Sequence, residues 1–456
     1  MRFLALLFPA TLAACSLAPE YKRPGAPIPA ALPSGGAYAA AIAGEAGASW
    51  RTVIQDRKLT QVIDRGIGQS RNLRYALAQV DAARALYSVQ RASQLPAIGV
   101  SAGATYRGGD GVSGAPRLFD ASFGFSSFEL DLFGRLRNQS KAAFESYIAT
   151  EAGSRATRIA LVAEIASAYV IYAYDLDVLH IGEGTRDAAQ RTFDLTTRLL
   201  GAGLTDRLAV SQSETVLRQA ESDIASSETQ VAKDRNALEL LVGAPVEDAL
   251  LPASLRSLDP AIRLAPAGLR SDVLLGRPDV LSAEARLQAA NANIGVARAA
   301  FFPRISLTSA IGVASPMLSN LFSEGNQSWS ASPSLSQPIF SPAIGANLDY
   351  VKAQRDAAVA NYEGAVQTAF REVSDALARQ GTIARQRAAQ DALVQASQQG
   401  FDLATQRYQS GIDPYINTLT AQRTLDSARR SAAATVLSDL TNRLTLYRAL
   451  GGSVAD

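Results

Sequence analysis

Of 456 residues, one is cysteine (Cys15) and one is histidine (His180). A lone thiol forms no intrachain disulfide, and without a CxxC pair there is no zinc ligand set or redox couple. The chain offers no nucleophile–base arrangement and no phosphate-binding loop, so neither an enzyme nor a cofactor or metal is expected. Charge is sparse as well. Asp, Glu, Lys and Arg make up 19% with a net charge of +2, which leaves no concentrated basic face for nucleic acid. Beyond the N-terminus no run of about twenty uninterrupted apolar residues occurs, so any membrane crossing would fall to strands. Proline is missing between Pro116 and Pro245 and between Pro342 and Pro414, and those stretches are free to be helix.

What is present begins with MRFLALLFPATLAACS. A positive start and an apolar run from Phe3 to Leu12, too short to span a bilayer, read as an export signal. Leu12-Ala13-Ala14-Cys15 resembles a lipobox, which implies a signal peptide over 1–14 and acylation of Cys15 as the lipid attachment site. Each buried CH₂ of such a chain adds about 0.8 kcal/mol of membrane affinity. Ser16 in place of aspartate after the cysteine implies sorting to the outer membrane. A plain secretory signal with an incidental cysteine is the competing reading.

Internal duplication organises the rest. TFDLTTRLLGAGLTDRLAVSQSETVLRQA from Thr192 and GFDLATQRYQSGIDPYINTLTAQRTLDSA from Gly400 align without a gap, Phe193 with Phe401, Gly203 with Gly411 and Gly243 with Gly451, at an offset of 208. The expected layout is a lipidated extended segment over 15–58, repeat one over 59–243, a proline-containing equatorial connector over 244–266, repeat two over 267–451 and a tail over 452–456. Each repeat reads helix, strand, strand, very long helix, tight turn, helix.

The long helices are expected at 135–200 and 343–409, each about 100 Å at ~1.5 Å per residue. Ile159, Val162, Ala166, Tyr169, Ala173 and Leu176, and Val359, Tyr362, Val366, Ala369, Val373 and Ala376, alternate spacings of three and four, the seam of helices packed side by side. The shorter helices are expected at about 59–93, 206–242, 272–300 and 414–449, with both termini and the connector meeting as a belt. His180 extends the first seam and is expected to pack. Four short segments instead alternate in twos. Ile98–Tyr106, FDASFGFS from Phe119, Ile305–Ala314 and WSASPSLS from Trp329 each set apolar residues against glycine, serine and threonine, as transmembrane strands do. A sheet in water with one face on a core would show the same alternation.

Four strands cannot close on themselves, and an open edge has no partner in hydrocarbon. Two copies would give eight strands and an interior filled by side chains. Three copies would give twelve and a lumen lined by small polar residues. The GGDG loop over 108–111 reads as an outer loop. Glu129 and Asp131 are candidates for the lumen or for solvent.

At this point the residues resemble the TolC-like outer-membrane efflux family, in its NodT-type lipoprotein branch. CSLAPEYKRP, FELDLFGRLR from Phe128, LLGRPDVLSAEARLQAANANIGVARAAFFPRISLTSAIG from Leu274 and SGIDPYINTLTAQRTL from Ser410 carry the likeness. It implies a mainly α chain with transmembrane β, forming a homotrimeric twelve-stranded β-barrel continued by a long α-helical periplasmic barrel. Such a trimer is an exit duct in the outer-membrane lipid, coupled by a periplasmic adaptor to an inner-membrane transporter of the RND type. A duct for type I protein secretion, an adaptor and a structural coiled-coil lipoprotein are the alternatives. The family places its closed end at the helix turns. Asp206 and Asp413, with Arg198, Arg207, Arg407 and Tyr408 as neighbours, are therefore candidates for a periplasmic gate or adaptor contact. Helix N-capping is the structural alternative for both aspartates, with Pro414 as the first helical residue.

Overall fold

Each proline-free stretch contains one uninterrupted long helix, of 67 and 68 residues. The computed structural model describes residues 16–38, 49–108, 117–265 and 270–452. Cys15 and most of the GGDG loop lie outside them. In chain order the elements are α1 (Trp50–Val53), α2 (Arg57–Gln69), α3 (Arg71–Ala92), β1 (Ile98–Tyr106), β2 (Arg117–Glu129), α4 (Arg135–Gly201) and α5 (Arg207–Val242). Then come α6 (Leu255–Leu258), α7 (Pro278–Ala299), β3 (Arg304–Ser315), β4 (Gln327–Ser336), α8 (Pro342–Gln409) and α9 (Tyr415–Ala449). They fall into two compact units. One takes the N-terminal residues to Gly25, Ala78–Glu151 and Ser282–Gly364; the other takes Ala26–Leu77, Ala152–Leu281 and the residues from Ala365 on.

The first unit holds an antiparallel sheet in the order β1-β2-β3-β4. Its register places Val100 opposite Phe123, Phe123 opposite Ile311 and Ile311 opposite Trp329. Residues directly opposite share a face, so one face is apolar and exposed. The other gathers Gly99, Ser101, Ser122, Gly124, Gly312 and Ser330. A Cβ at Gly124 would collide with the carbonyl oxygen of Ser309, and one at Gly312 with that of Ala121. Only glycine permits this approach of β2 and β3, which curls the sheet toward its small-residue face. A bulge between Phe125 and Phe128 carries Ser127 at φ +53°. It keeps Phe128 on the apolar face and turns Glu129 onto the small one. There Glu129 accepts two 2.7 Å bonds from Arg135, and Asp131 caps α4 by accepting from the Arg137 amide at 2.9 Å. Neither carboxylate is simply solvated.

Residues 16–25 lie along α7 and the start of α4, within this sheet-bearing unit, whereas in the second unit the Ala30 carbonyl accepts from the Ser271 amide at 3.2 Å. Ser16 Oγ donates to Asn138 Oδ1 at 2.8 Å, Asn291 donates to the Pro19 carbonyl at 2.7 Å, and Arg23 grips buried Glu284 through bonds of 2.7 and 2.8 Å.

In the second unit the predicted seam is the core. Val162, Ala166, Tyr169 and Ala173 of α4 and Val366, Ala369, Val373 and Ala376 of α8 are buried, and Tyr169 Oη donates to the Leu250 carbonyl at 2.7 Å. The most apolar part of α4 is long and apolar enough for a membrane span by composition alone, and half of it is buried inside the chain. Three helical expectations need correction. The helix expected over 59–93 breaks at Ser70, whose ψ of 126° is not helical. The one expected from 272 begins at Pro278, because proline starts a helix but does not sit inside one; Ser271–Gly276 form a 3₁₀ turn. His180 is exposed rather than packed.

Charged groups fasten the connector to the helices. Asp259 accepts from Arg387 at 2.6 Å and from Arg443 at 3.0 Å, and both arginines also hold buried Asp439, at 2.7 and 2.6 Å. The Arg387 guanidinium foremost, with Arg443, holds the Asp259 carboxyl below the usual range. Asp175 of α4 is its opposite. Burial, with the hydrogen bond and charge of Asp234 on α5, pushes it up to about 7.

A raised folded-state pKa means that the folded chain keeps a proton which the unfolded chain has lost, so stability falls as pH rises from about 4 to about 7. Asp175→Asn should flatten that slope and add about 1–2 kcal/mol at about pH 8, discounted for partial solvent exposure. Denaturant unfolding at about pH 5 and about pH 8 checks it. An unchanged slope would mean that Asp175 titrates as an ordinary surface carboxyl.

Candidate functional site

The two helix turns are built alike because their sequences are duplicated. After α4 the amides of Ala202, Gly203 and Leu204 donate to the carbonyls of Arg198, Leu200 and Leu199; after α8 those of Ser410, Gly411 and Ile412 donate to Gln406, Tyr408 and Arg407. Each position is the other plus 208. Gly203 and Gly411 both sit at φ +71°, a left-handed conformation that closes the helix end and is cheap only for glycine.

Beyond the glycine the turns diverge. Asp206 is the N-cap of α5 and accepts from the Ala209 amide at 2.9 Å. Its repeat equivalent is Pro414, which occupies the cap position of α9 with φ −71° and ψ 154° and makes no capping bond. Pro414 is thus the cap residue, not the first helical one, and Asp413, one position too early to cap, turns back to Arg407. Arg407 donates to it from Nε at 2.6 Å and from its terminal nitrogen at 3.1 Å. The pair pulls the Asp413 carboxyl below the usual range. It also places a cation at the C-terminal end of α8, where the helix dipole favours one.

Between the turns lies a small aromatic core. The rings of Tyr408 and Tyr415 are 5.4 Å apart and tilted by 56°, with Ala209 and Leu419 buried against them. Burial pushes the Tyr415 phenol up to about 12, so it stays neutral. Tyr415 Oη and both side-chain polar atoms of Gln422 are buried without hydrogen-bond partners among the described residues, and each such group costs about 1–3 kcal/mol. This end is weakly held. A cleft of about 680 Å³ opens beside it, lined by Thr205, Asp206, Tyr408, Asp413 and Tyr415 among others.

The structure therefore brings together Asp206, Tyr408 and Asp413, with Arg407 tied to the last. Arg198 and Arg207 stand apart. Arg198 donates to the Asp194 carbonyl at 3.2 Å on the exposed side of α4, and Arg207 is exposed at the start of α5. Sequence reasoning missed Tyr415 and the exposed apolar pairs Leu204 with Ile412 and Leu208 with Ile416. Both pairs are repeat mates, so the duplication held the signal. With buried neutral phenols and paired or capping carboxylates, the arrangement can clasp helix ends or take a partner's apolar side chains.

The family model described as outer membrane efflux protein matches residues 62–244 and 269–452. This chain is a member of that family. The solvent efflux pump outer membrane protein SrpC of Pseudomonas putida is 41% identical over 97% of this chain and 96% of its own length; Pseudomonas aeruginosa OprJ is 37% identical over 98% and 95%. Among solved structures, CusC superposes with a TM-score of 0.87 at 36% identity over 96% of this chain and 100% of that one. The open-state MtrE channel of Neisseria gonorrhoeae gives 0.86 at 31%, over 96% and 99%. The fold is TolC-like, and this efflux protein is an outer-membrane channel component of an efflux pump. The adaptor and coiled-coil lipoprotein alternatives fall with that assignment.

Capping at Asp206 has a direct check. Asp206→Ala should cost about 1 kcal/mol of stability, while Asp413→Ala should leave the start of α9 intact because Pro414 holds the cap position. Unfolding midpoints of the two variants measure the difference, and equal losses would contradict the assignment.

Proposed function

We propose that three copies of this chain close a twelve-stranded barrel and act as a passive exit duct, fed by an RND-type inner-membrane transporter through a periplasmic adaptor. The observation that carries the reading is the open sheet. Among the described residues β1 and β4 each present an unpaired edge, and the apolar face exposes Val100, Phe123, Ile311 and Trp329. In hydrocarbon both edges must be paired. With four antiparallel strands, β4 of one copy runs opposite to β1 of the next, and a head-to-tail ring closes without a mismatch. The solvent and toluene pumps among the relatives favour small apolar toxicants or drugs as cargo.

Residues 59–243 and 267–451 are then duplicate halves. Acylated Cys15 would add a lipid anchor, a reading supported by Ser16 lying on Asn138 in the first turn of α4. The helix turns serve as the periplasmic tip. Arg407 and Asp413 clasp one turn shut, and Leu204, Leu208, Ile412 and Ile416 offer apolar contacts to an adaptor hairpin.

Purified, detergent-extracted protein should give a native mass of three chains and step conductances in planar bilayers. Asp413→Asn, which removes the clasp, should raise single-channel conductance several-fold. A monomer without conductance would refute the duct, whereas an unchanged conductance in Asp413→Asn would refute only the clasp.

A further inference from the structure

The small-residue face of the sheet carries three ionisable side chains among the described residues: Asp120, Glu129 and Arg304. Two of them answer each other. Glu129 is held by Arg135 and lies 3.8 Å from Arg304 at one end of the strands. Asp120 stands toward the other end, three residues into β2, opposite Gly103 of β1 and Ala314 of β3. Neither neighbour offers a side-chain donor, and Asp120 makes no ion pair or side-chain hydrogen bond among the described residues. Gly103 leaves it room. A Cβ there would meet Asp120 Oδ1 at 3.0 Å, so the carboxylate lies across the space that a side chain would fill. Around it the same face presents Ser101, Ser122 and Thr105, with Ser101 and Ser122 joined by a 2.9 Å hydroxyl contact. These are neutral groups that hydrate an ion without competing for its charge.

Closing the sheet toward this face turns it into the wall of the lumen. We propose that Asp120 is a selectivity-determining residue of the duct: three copies form a ring of carboxylates on the β1–β2 loop side that favours cations over anions. The inference rests on the trimeric-barrel reading. Its physical basis is a fixed charge of one sign in a low-dielectric wall, which raises the local concentration of counter-ions. The lumen of a twelve-stranded barrel is wide, so the effect depends on salt. At 0.1 M the screening length of about 10 Å lets the ring's field reach into the passage, and at 1 M, at about 3 Å, it does not.

Reversal potentials across a potassium chloride gradient test this on the full-length trimer. At about 0.1 M, Asp120→Asn should lower the cation-over-anion permeability ratio about twofold. Asp120→Glu should retain the ratio and Asp120→Lys should push it toward anions, with the differences collapsing near 1 M. Native mass and circular dichroism confirm that each variant is assembled. A conducting Asp120→Asn trimer with an unaltered ratio at low salt overturns this inference alone. Absence of conductance from the unaltered protein overturns the duct reading and this inference with it.

Discussion

The outer edges of β1 and β4 carry backbone amides and carbonyls that no other strand among the described residues pairs, and the rest of the molecule is organised around that deficit. In water such edges would merely be solvated. With an apolar face that displays Val100, Phe123 and Trp329, the sheet belongs in hydrocarbon, where an unpaired backbone group costs several kcal/mol. A membrane-spanning version of this chain is therefore incomplete on its own. Assembly and insertion become one problem, and glycines at 124 and 312 solve its geometric part by letting adjacent strands curl toward a common interior.

The helical part meets a different constraint. Alanine-rich seams bury little per residue, so the second unit adds directional fasteners. Arg387 and Arg443 converge on Asp259 and Asp439 and tie the connector to α8 and α9. Because a network that has lost one partner leaves the other charges uncompensated, these contacts fix register more than they add stability. Near the helix turns the fasteners thin out. There the core is Tyr408, Tyr415, Ala209 and Leu419, and Gln422 finds no hydrogen-bond partner among the described residues.

Duplication shows how one local design acquires two uses. The glycine-closed helix end is the same in both copies, down to the carbonyls that accept each amide. A single shift in the position of the aspartate then divides the roles. At 206 it caps the following helix, and at 413 it reaches back to the preceding one. Proline at 414 makes the second arrangement tenable, since it fixes an extended cap residue that needs no capping side chain.

The sequence by itself determined the two long helices and the two helices that follow the turns to within a residue, and the four strands to within about three. Their signals are local: proline-free length, periods of two or three and four, and glycine at helix ends. It also contained the family, since motif and strand count do not depend on how side chains meet. Tertiary structure decided what depends on direction in space. The bulge at Ser127 reverses which face Glu129 takes, Ser70 interrupts a helix that its composition favours, and His180 points outward from a stripe that reads as core. Asp413 chooses Arg407 over a cap because the backbone at Pro414 sets the angle of approach. Alternation and periodicity fix which residues share a face, while the partner each side chain finds depends on distances of a few ångströms between segments far apart in the chain.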